Sequence, residues 1–125
     1  MNNFGPHLFL DAEINKISSL YLDDLDYIFN FMNALPDMIG MTKITQPYVF
    51  RYSGLNPEDG GITGCVIIAE SHISIHTFAK KNYIFFDIFS CKPFDYENVV
   101  SVFKSFFSTK RIDYSVSYRG LSFPR

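Results

Sequence analysis

Apolar residues recur along the chain with two different periods, and each period predicts one kind of element. In residues 20–38 the apolar positions are three or four apart, which predicts a helix with one apolar face. Residues 95–108 show the same spacing, and Asp95 stands where a helix N-cap is expected. The sequence therefore predicts two helices, one in each half of the chain.

Between the helices, apolar residues alternate with polar ones or run together, which predicts strands. A turn-rich segment, SGLNPEDGG (53–61), is predicted to be a loop. The predicted strands are HLFLDAEI (7–14), QPYVFRY (46–52), ITGCVIIAESHISIHT (62–77), NYIFFDIFSC (82–91) and RIDYSVSY (111–118). The order β-α-β-β-β-α-β predicts a single α+β domain over 1–125. We expect a two-layer α/β sandwich, an antiparallel sheet with two helices on one face.

Composition and charge narrow the class of protein. The chain is 47% hydrophobic with 14 Phe and 8 Tyr, which indicates a folded globular domain. A net charge of -2 without a basic stripe gives no indication of nucleic acid as a partner. Since neither a leader peptide nor an apolar run long enough to span a membrane is evident, we expect a cytoplasmic protein with no membrane partner and two free thiols, Cys65 and Cys91.

The stretch AESHISIHT (69–77) places polar side chains along a predicted buried strand. Such groups cost free energy unless each has a partner, so they form either a satisfied structural patch or a chemical site. If residues 82–91 pair antiparallel with 62–77, opposed residue numbers sum to about 160–162. Cys91 then lies opposite Ser71 within a residue or two.

His76 is expected to lie apart from Ser71. Five residues of extended strand span about 16 Å, and the odd spacing sends the two side chains to opposite faces. They act together only across a two-fold dimer interface, or where a bulge breaks the strand. His72 and His76 are four residues apart, but their alternation with isoleucine predicts a strand, and further ligands are not evident. We therefore expect no metal site.

Four segments together resemble a known family. They are Gly61-Ile62-Thr63-Gly64, Glu70-Ser71-His72, Ile75-His76-Thr77-Phe78 and Asp87-Ile88-Phe89-Ser90-Cys91. This pattern is similar to that of the short prokaryotic pyruvoyl-dependent S-adenosylmethionine decarboxylases. The resemblance implies that family's fold and a carboxy-lyase that makes decarboxylated S-adenosylmethionine for spermidine and other polyamines.

The resemblance also implies a zymogen that cuts itself before Ser71, giving a beta chain (1–70) and an alpha chain (71–125). The Ser71 hydroxyl would attack the Glu70 carbonyl, and Ser71 would become a covalent pyruvoyl cofactor, which forms a Schiff base with the substrate amine.

The family assigns roles to three further side chains. Thr63 would steady the acyl shift, His76 would remove the Ser71 α-proton, and Cys91 would be the proton donor in decarboxylation. The family's short members are homodimers in which the serine and cysteine of one chain face the hydroxyl and histidine of the other.

The chain departs from the family pattern at substrate recognition. Lys80 stands where the family has a glutamate that holds the ribose hydroxyls, and the loop over 56–60 lacks an aromatic residue. The candidate substrate-binding residues are Glu58, Asp59, Glu70, Phe78 and Lys80.

Three interpretations follow from this departure. Adenosine is held by Phe4, Phe50 or Phe78, or the substrate is arginine or ornithine, with its cationic side chain held by Glu58 and Asp59. A third possibility is a non-catalytic homologue that acts as a binding subunit.

Overall fold

The computed structural model describes residues 4–124 and contains one six-stranded antiparallel sheet with two α-helices. The strands lie in the order β2-β3-β4-β5-β1-β6. Their bounds are β1 Pro6–Ile14, β2 Tyr48–Tyr52, β3 Gly61–Ile68, β4 Ser71–Phe78, β5 Tyr83–Phe89 and β6 Thr109–Tyr118. The helices are α1 (Leu25–Met38) and α2 (Tyr96–Phe106), and short 3₁₀ helices cover Lys16–Asp23, Pro57–Asp59 and Ala79–Lys81.

Both helices pack on the same face of the sheet, where the hydrophobic core lies. Phe31 of α1 and Phe103 of α2 are fully buried and contact each other and Phe86 of β5, with ring centroids 5.5 to 5.8 Å apart. Full burial of one such side chain stabilises the fold by about 1.5–3 kcal/mol. The predicted α+β sandwich is therefore confirmed.

Each helix begins at an aspartate cap. The Asp24 carboxylate accepts a hydrogen bond from the Tyr27 backbone N–H, and Asp95 accepts one from that of Asn98, both at 3.1 Å. The predicted start of the first helix near residue 20 was wrong, since the α-helix begins only after Asp24 and the preceding turns are 3₁₀. A cap of this kind contributes about 1 kcal/mol.

The prediction of one long strand over 62–77 was also wrong. The chain reverses at Ala69 and Glu70, and β3 pairs with β4 from Thr63 opposite His76 to Ile68 opposite Ser71. The turn contains no Gly, Pro or Asn, the residues that usually mark a hairpin turn. Apolar and polar residues alternate with a period of two in both strands, so the sequence pattern gave no sign of the turn. Residues 4–124 therefore contain six strands, and Glu70 and Ser71 lie where two of them meet.

The second face of the sheet is not covered by either helix. Phe9, Phe50 and Phe85 project from three different strands on this uncovered face, with between 44% and 61% of their surface exposed. Polar side chains lie among them. A broad surface that mixes exposed aromatic and polar groups is typical of a binding face. Within residues 4–124, no helix is long and apolar enough to cross a membrane.

Candidate active site

Ser71 lies at the start of β4, directly after the hairpin turn that carries the exposed Glu70. The backbone N–H of Cys91 donates a hydrogen bond to Ser71 Oγ at 3.0 Å, and both residues are half-buried. Strands β4 and β5 pair with His72 opposite Phe89, so opposed residue numbers sum to 161 (72 + 89). This register confirms the predicted proximity of Ser71 and Cys91.

A second polar pair lies toward the other end of β4, on the uncovered face. Thr63 Oγ1 and His76 Nδ1 are 3.1 Å apart, because the two residues face each other across the β3–β4 ladder. His76 is exposed and Thr63 is half-buried. The hydroxyl and imidazole are therefore held together and open to a reactant that approaches this face.

The two pairs do not meet within one chain. Strand β4 pairs in unbroken register with both neighbours, from His72 to Phe78 on one side and from Ser71 to His76 on the other. No bulge interrupts it, so the five-residue step from Ser71 to His76 keeps its length of about 16 Å. The sequence left two ways for Ser71 and His76 to act together, a bulge in the strand or a dimer interface, and the bulge is excluded.

A cavity of about 340 Å³ opens beside the Thr63–His76 pair. It is lined by Tyr52, Asp59, Gly61, Thr63, His76, Thr77 and Phe78. A second cavity of about 260 Å³ shares Tyr52 and Gly61 with it, and Lys80 lines this second cavity. The structure thus brings Asp59 and Phe78 together with the Thr63–His76 pair and places Lys80 in the adjoining space.

The carboxylates near the two cavities already have cationic partners. Asp59 Oδ1 accepts a hydrogen bond of 2.6 Å from Lys81 Nζ, and this bond holds the pKa of the Asp59 carboxyl below its usual value. Asp23, beside the second cavity, is paired with Arg51. Glu58 is exposed and lines neither cavity, so the predicted Glu58–Asp59 acidic pair is not assembled.

Other predicted contacts fall away from the cavities. Phe4 stacks on Phe123 with ring centroids 4.8 Å apart, and Phe50 is exposed on the uncovered face. Of the three phenylalanines proposed for adenosine, only Phe78 lines the cavity. Glu70 stays at the exposed hairpin turn, next to Ser71.

Tyr52 is a cavity residue that sequence reasoning missed. The sequence showed that the loop over 56–60 lacks the aromatic residue that the family tends to have there. The structure supplies an aromatic side chain from the end of β2, where Tyr52 pairs with Gly61. Gly61 has no side chain that would fill the space beside Tyr52, so the cavity stays open. The signal available in the sequence was the antiparallel pairing of 46–52 with the strand that follows the loop.

Fold and site together define a class of protein, a two-layer α+β domain in which a serine directly follows a glutamate at a hairpin turn. A cysteine lies next to the serine, and a threonine–histidine pair lies farther along the same hairpin. A model of the S-adenosylmethionine decarboxylase family matches residues 7–120. The chain belongs to this family.

Similar proteins agree along nearly the whole chain. The S-adenosylmethionine decarboxylase proenzyme of Clostridium botulinum is 33% identical over 121 residues, which are 96% of this chain and 97% of that one. The proenzyme of Pyrococcus furiosus is 30% identical over 111 residues, 88% of this chain and 68% of that one. The crystal structure of the adenosylmethionine decarboxylase from Aquifex aeolicus shares the fold, with a TM-score of 0.77, 23% identity and coverage of 97% and 94%.

Proposed function

We propose that this protein is a proenzyme that cleaves itself between Glu70 and Ser71 and then decarboxylates S-adenosylmethionine for polyamine synthesis. Cleavage would give chains 1–70 and 71–125. The observation that supports the proposal is the hydrogen bond between the Cys91 backbone and Ser71 Oγ, which holds a hydroxyl and a thiol-bearing residue side by side next to an exposed turn. The chain belongs to the decarboxylase family, whose self-cleavage and decarboxylation would use a serine and a thiol held close together.

The self-cleavage needs only protein side chains and water. Ser71 Oγ attacks the Glu70 carbonyl carbon, the C–N bond breaks, and an ester replaces the peptide. Removal of the Ser71 α-proton by an imidazole then expels the Glu70 carboxylate, and hydrolysis of the remaining dehydroalanine releases ammonia. We assign the imidazole to His76 and the hydroxyl that steadies the acyl shift to Thr63, because their 3.1 Å contact holds the two groups together.

Ser71 would thereby become a pyruvoyl group, which acts when formed as an electron sink for the carbanion left by loss of carbon dioxide. The carbanion must be protonated at carbon, which requires an acid close to residue 71. Cys91 meets this requirement, since its backbone is hydrogen-bonded to Ser71 and its thiol is free.

A second copy of the chain completes the site. Ser71 and His76 are separated along a regular strand, so His76 reaches Ser71 only from another molecule. The uncovered face, with its exposed Phe9, Phe50 and Phe85, offers the apolar surface that such an interface buries. We infer a homodimer in which Ser71 and Cys91 of one protomer face Thr63 and His76 of the other.

The cavity favours a nucleoside over a basic amino acid. Tyr52 and Phe78 give it two aromatic walls, which suit a planar adenine and an adjacent sulfonium cation. Asp59 is already paired with Lys81, so it offers less to the guanidinium of arginine or the ammonium of ornithine. In place of the family's ribose-binding glutamate, we assign Asp59 as the acceptor for the ribose hydroxyls.

Intact mass spectrometry after trapping tests the proposal. Purified protein is incubated with cyanoborohydride and with S-adenosylmethionine, ornithine or arginine in separate tubes. We expect a 71–125 fragment lighter than a serine-ended chain by the mass of ammonia, with one reduced adduct only in the S-adenosylmethionine tube. Ser71→Ala is the control and should remain a single uncut chain without adduct.

Each other outcome points to a different interpretation. A cleaved chain with an adduct of arginine or ornithine would support the self-cleavage and the decarboxylation but would contradict S-adenosylmethionine as the substrate. An uncut wild-type chain without any adduct would contradict the enzymatic function and favour a non-catalytic binding subunit.

A further inference from the structure

Three side chains that the proposed reaction does not use converge on the uncovered face. His7 projects from β1, His72 from β4 and Asp87 from β5, and these strands are neighbours in the sheet. One nitrogen of each imidazole and one carboxylate oxygen all lie within 4.8 Å of one another. We propose that His7, His72 and Asp87 bind a divalent transition-metal ion of the zinc type.

The ligand atoms are close enough together to share one ion. His7 Nε2 lies 2.6 Å from Asp87 Oδ2, and His72 Nε2 lies 3.8 Å from the same oxygen. In a tetrahedral zinc site with bonds of 2.0–2.1 Å, neighbouring ligand atoms are about 3.3 Å apart. The first distance must open by about 0.7 Å and the second must close by about 0.5 Å. The two imidazole nitrogens lie within 4.8 Å of each other, so they must approach by up to about 1.5 Å. Rotations of the side chains can supply these changes.

The second carboxylate oxygen of Asp87 is held by another residue. Ser74 Oγ donates a hydrogen bond to Asp87 Oδ1, which fixes the rotation of the carboxylate and leaves Oδ2 turned toward both imidazoles. The His7 ring is also fixed, because it stacks on Phe9 with ring centroids 4.4 Å apart. Metal sites rely on such outer contacts to orient their ligands.

The site is sheltered but open. In a single chain the side chains of His7, Asp87 and His72 are 14%, 24% and 41% exposed, so the cluster opens onto the uncovered face. In the homodimer proposed above this face is the interface, and the ion would lie between the two protomers. Three protein ligands leave a fourth position for water or another ligand.

The donor set selects the type of ion. Two imidazoles and one carboxylate suit Zn²⁺, Co²⁺ or Ni²⁺, whereas Mg²⁺ and Ca²⁺ prefer oxygen ligands alone. The sequence did not predict this site, since only the spacing of His72 and His76 was visible there.

Titration with CoCl₂, followed by competition with ZnCl₂, tests the site at neutral pH on the full-length protein. We expect one equivalent of Co²⁺ to bind, with a visible spectrum of nitrogen and oxygen ligands and no thiolate charge-transfer band. His7→Gln and His72→Gln should each weaken binding more than about 100-fold, and Ser74→Ala by about 10-fold. Asp11→Asn, which changes a carboxylate on the same strand as His7 but outside the three-residue cluster, is the matched control and should bind as the wild type does.

Several results would overturn the site. Absence of binding by the folded wild type would do so, as would binding that survives both His7→Gln and His72→Gln. A thiolate band that disappears on alkylation would assign the ion to Cys65 or Cys91 instead. Circular dichroism of each variant checks that the fold is retained. The metal site and the self-cleavage are independent, because cleavage is read from mass and metal binding from absorption.

Discussion

At the scale of single residues, the proposed proton donor Cys91 differs from Cys65 in its position relative to Ser71. Cys91 contacts Ser71 through its backbone, whereas Cys65 lies on β3 opposite Ser74 and Tyr48. Both are half-buried free thiols, so exposure alone does not distinguish them. Their positions relative to Ser71 do.

Cys91→Ala should leave self-cleavage largely intact and lower the rate of decarboxylation. Loss of a positioned general acid costs about 10²–10⁴-fold in kcat. Fragment masses report cleavage, and release of carbon dioxide from S-adenosylmethionine reports turnover. Cys65→Ala is the matched control and should retain both. Equal loss of turnover in the two variants would contradict the role assigned to Cys91.

Tyr52→Ala should raise the KM for S-adenosylmethionine with little change in kcat. An aromatic contact contributes about 0.5–1.5 kcal/mol, so the expected rise is about two- to tenfold. Tyr52→Phe should restore the wild-type KM, because it keeps the ring. Tyr48→Ala, on the same strand but outside the cavity lining, should have no effect. An unchanged KM in Tyr52→Ala would remove Tyr52 from the site.

At the scale of elements, the close packing of β3 on β4 holds the two ends of the site in register. A Cβ on Gly61 would lie 1.9 Å from the backbone oxygen of Thr77, so only glycine permits this approach. The Thr77 hydroxyl accepts a hydrogen bond from the Ile62 N–H and donates one to the Leu22 carbonyl. The hairpin is thus fixed beside the cavity.

A second contact between elements joins α2 to the edge strand β6 and makes stability depend on pH. The Tyr96 and Tyr118 hydroxyl oxygens are 3.0 Å apart, and burial, together with this hydrogen bond, raises the pKa of Tyr96 to about 12. In the unfolded chain a tyrosine titrates near 10. Between these values the folded chain keeps a proton that the unfolded chain has lost. The contribution is therefore fully present below pH about 10 and is lost as the pH rises through about 12.

Urea unfolding between pH 9 and pH 12 checks this expectation. The free energy of unfolding of the wild type should fall with pH in that window, and that of Tyr96→Phe should fall less steeply. Tyr48→Phe, on the opposite edge of the sheet, should follow the wild type. Parallel curves for Tyr96→Phe and the wild type would show that the hydroxyl pair does not couple to folding.

At the scale of the whole molecule, the proposed division of the site between two protomers predicts complementation. Ser71→Ala and His76→Ala should each fail to cleave alone. In a mixed dimer, Ser71 of the His76→Ala chain faces His76 of the Ser71→Ala chain, so one complete site is restored. With random pairing, about half of the dimers are mixed and each has one intact site, so about a quarter of the wild-type sites return.

Co-expression followed by mass spectrometry reads the result directly. Fragment 71–125 should come only from the His76→Ala chain, which its mass identifies. Cleavage of neither chain, in a preparation that sedimentation shows to be dimeric, would place the whole site within one protomer or on another interface.

The sequence by itself determined the α+β class, both helices, the pairing of 82–91 with the polar strand and, through its motifs, the family. These features depend on local period, on capping residues and on strand register, all of which are written in neighbouring residues. It did not reveal the reversal at Ala69 and Glu70, because both arms of the hairpin share one period.

Only the tertiary structure determined which side chains that are far apart in the sequence lie close together. It joined Asp59 to Lys81, brought Tyr52 to the cavity and gathered His7 and His72 around Asp87. His7 and Asp87 are 80 residues apart in the chain. Their contact depends on β1 lying beside β5 in the sheet, and no local sequence pattern predicts which strands pair with each other.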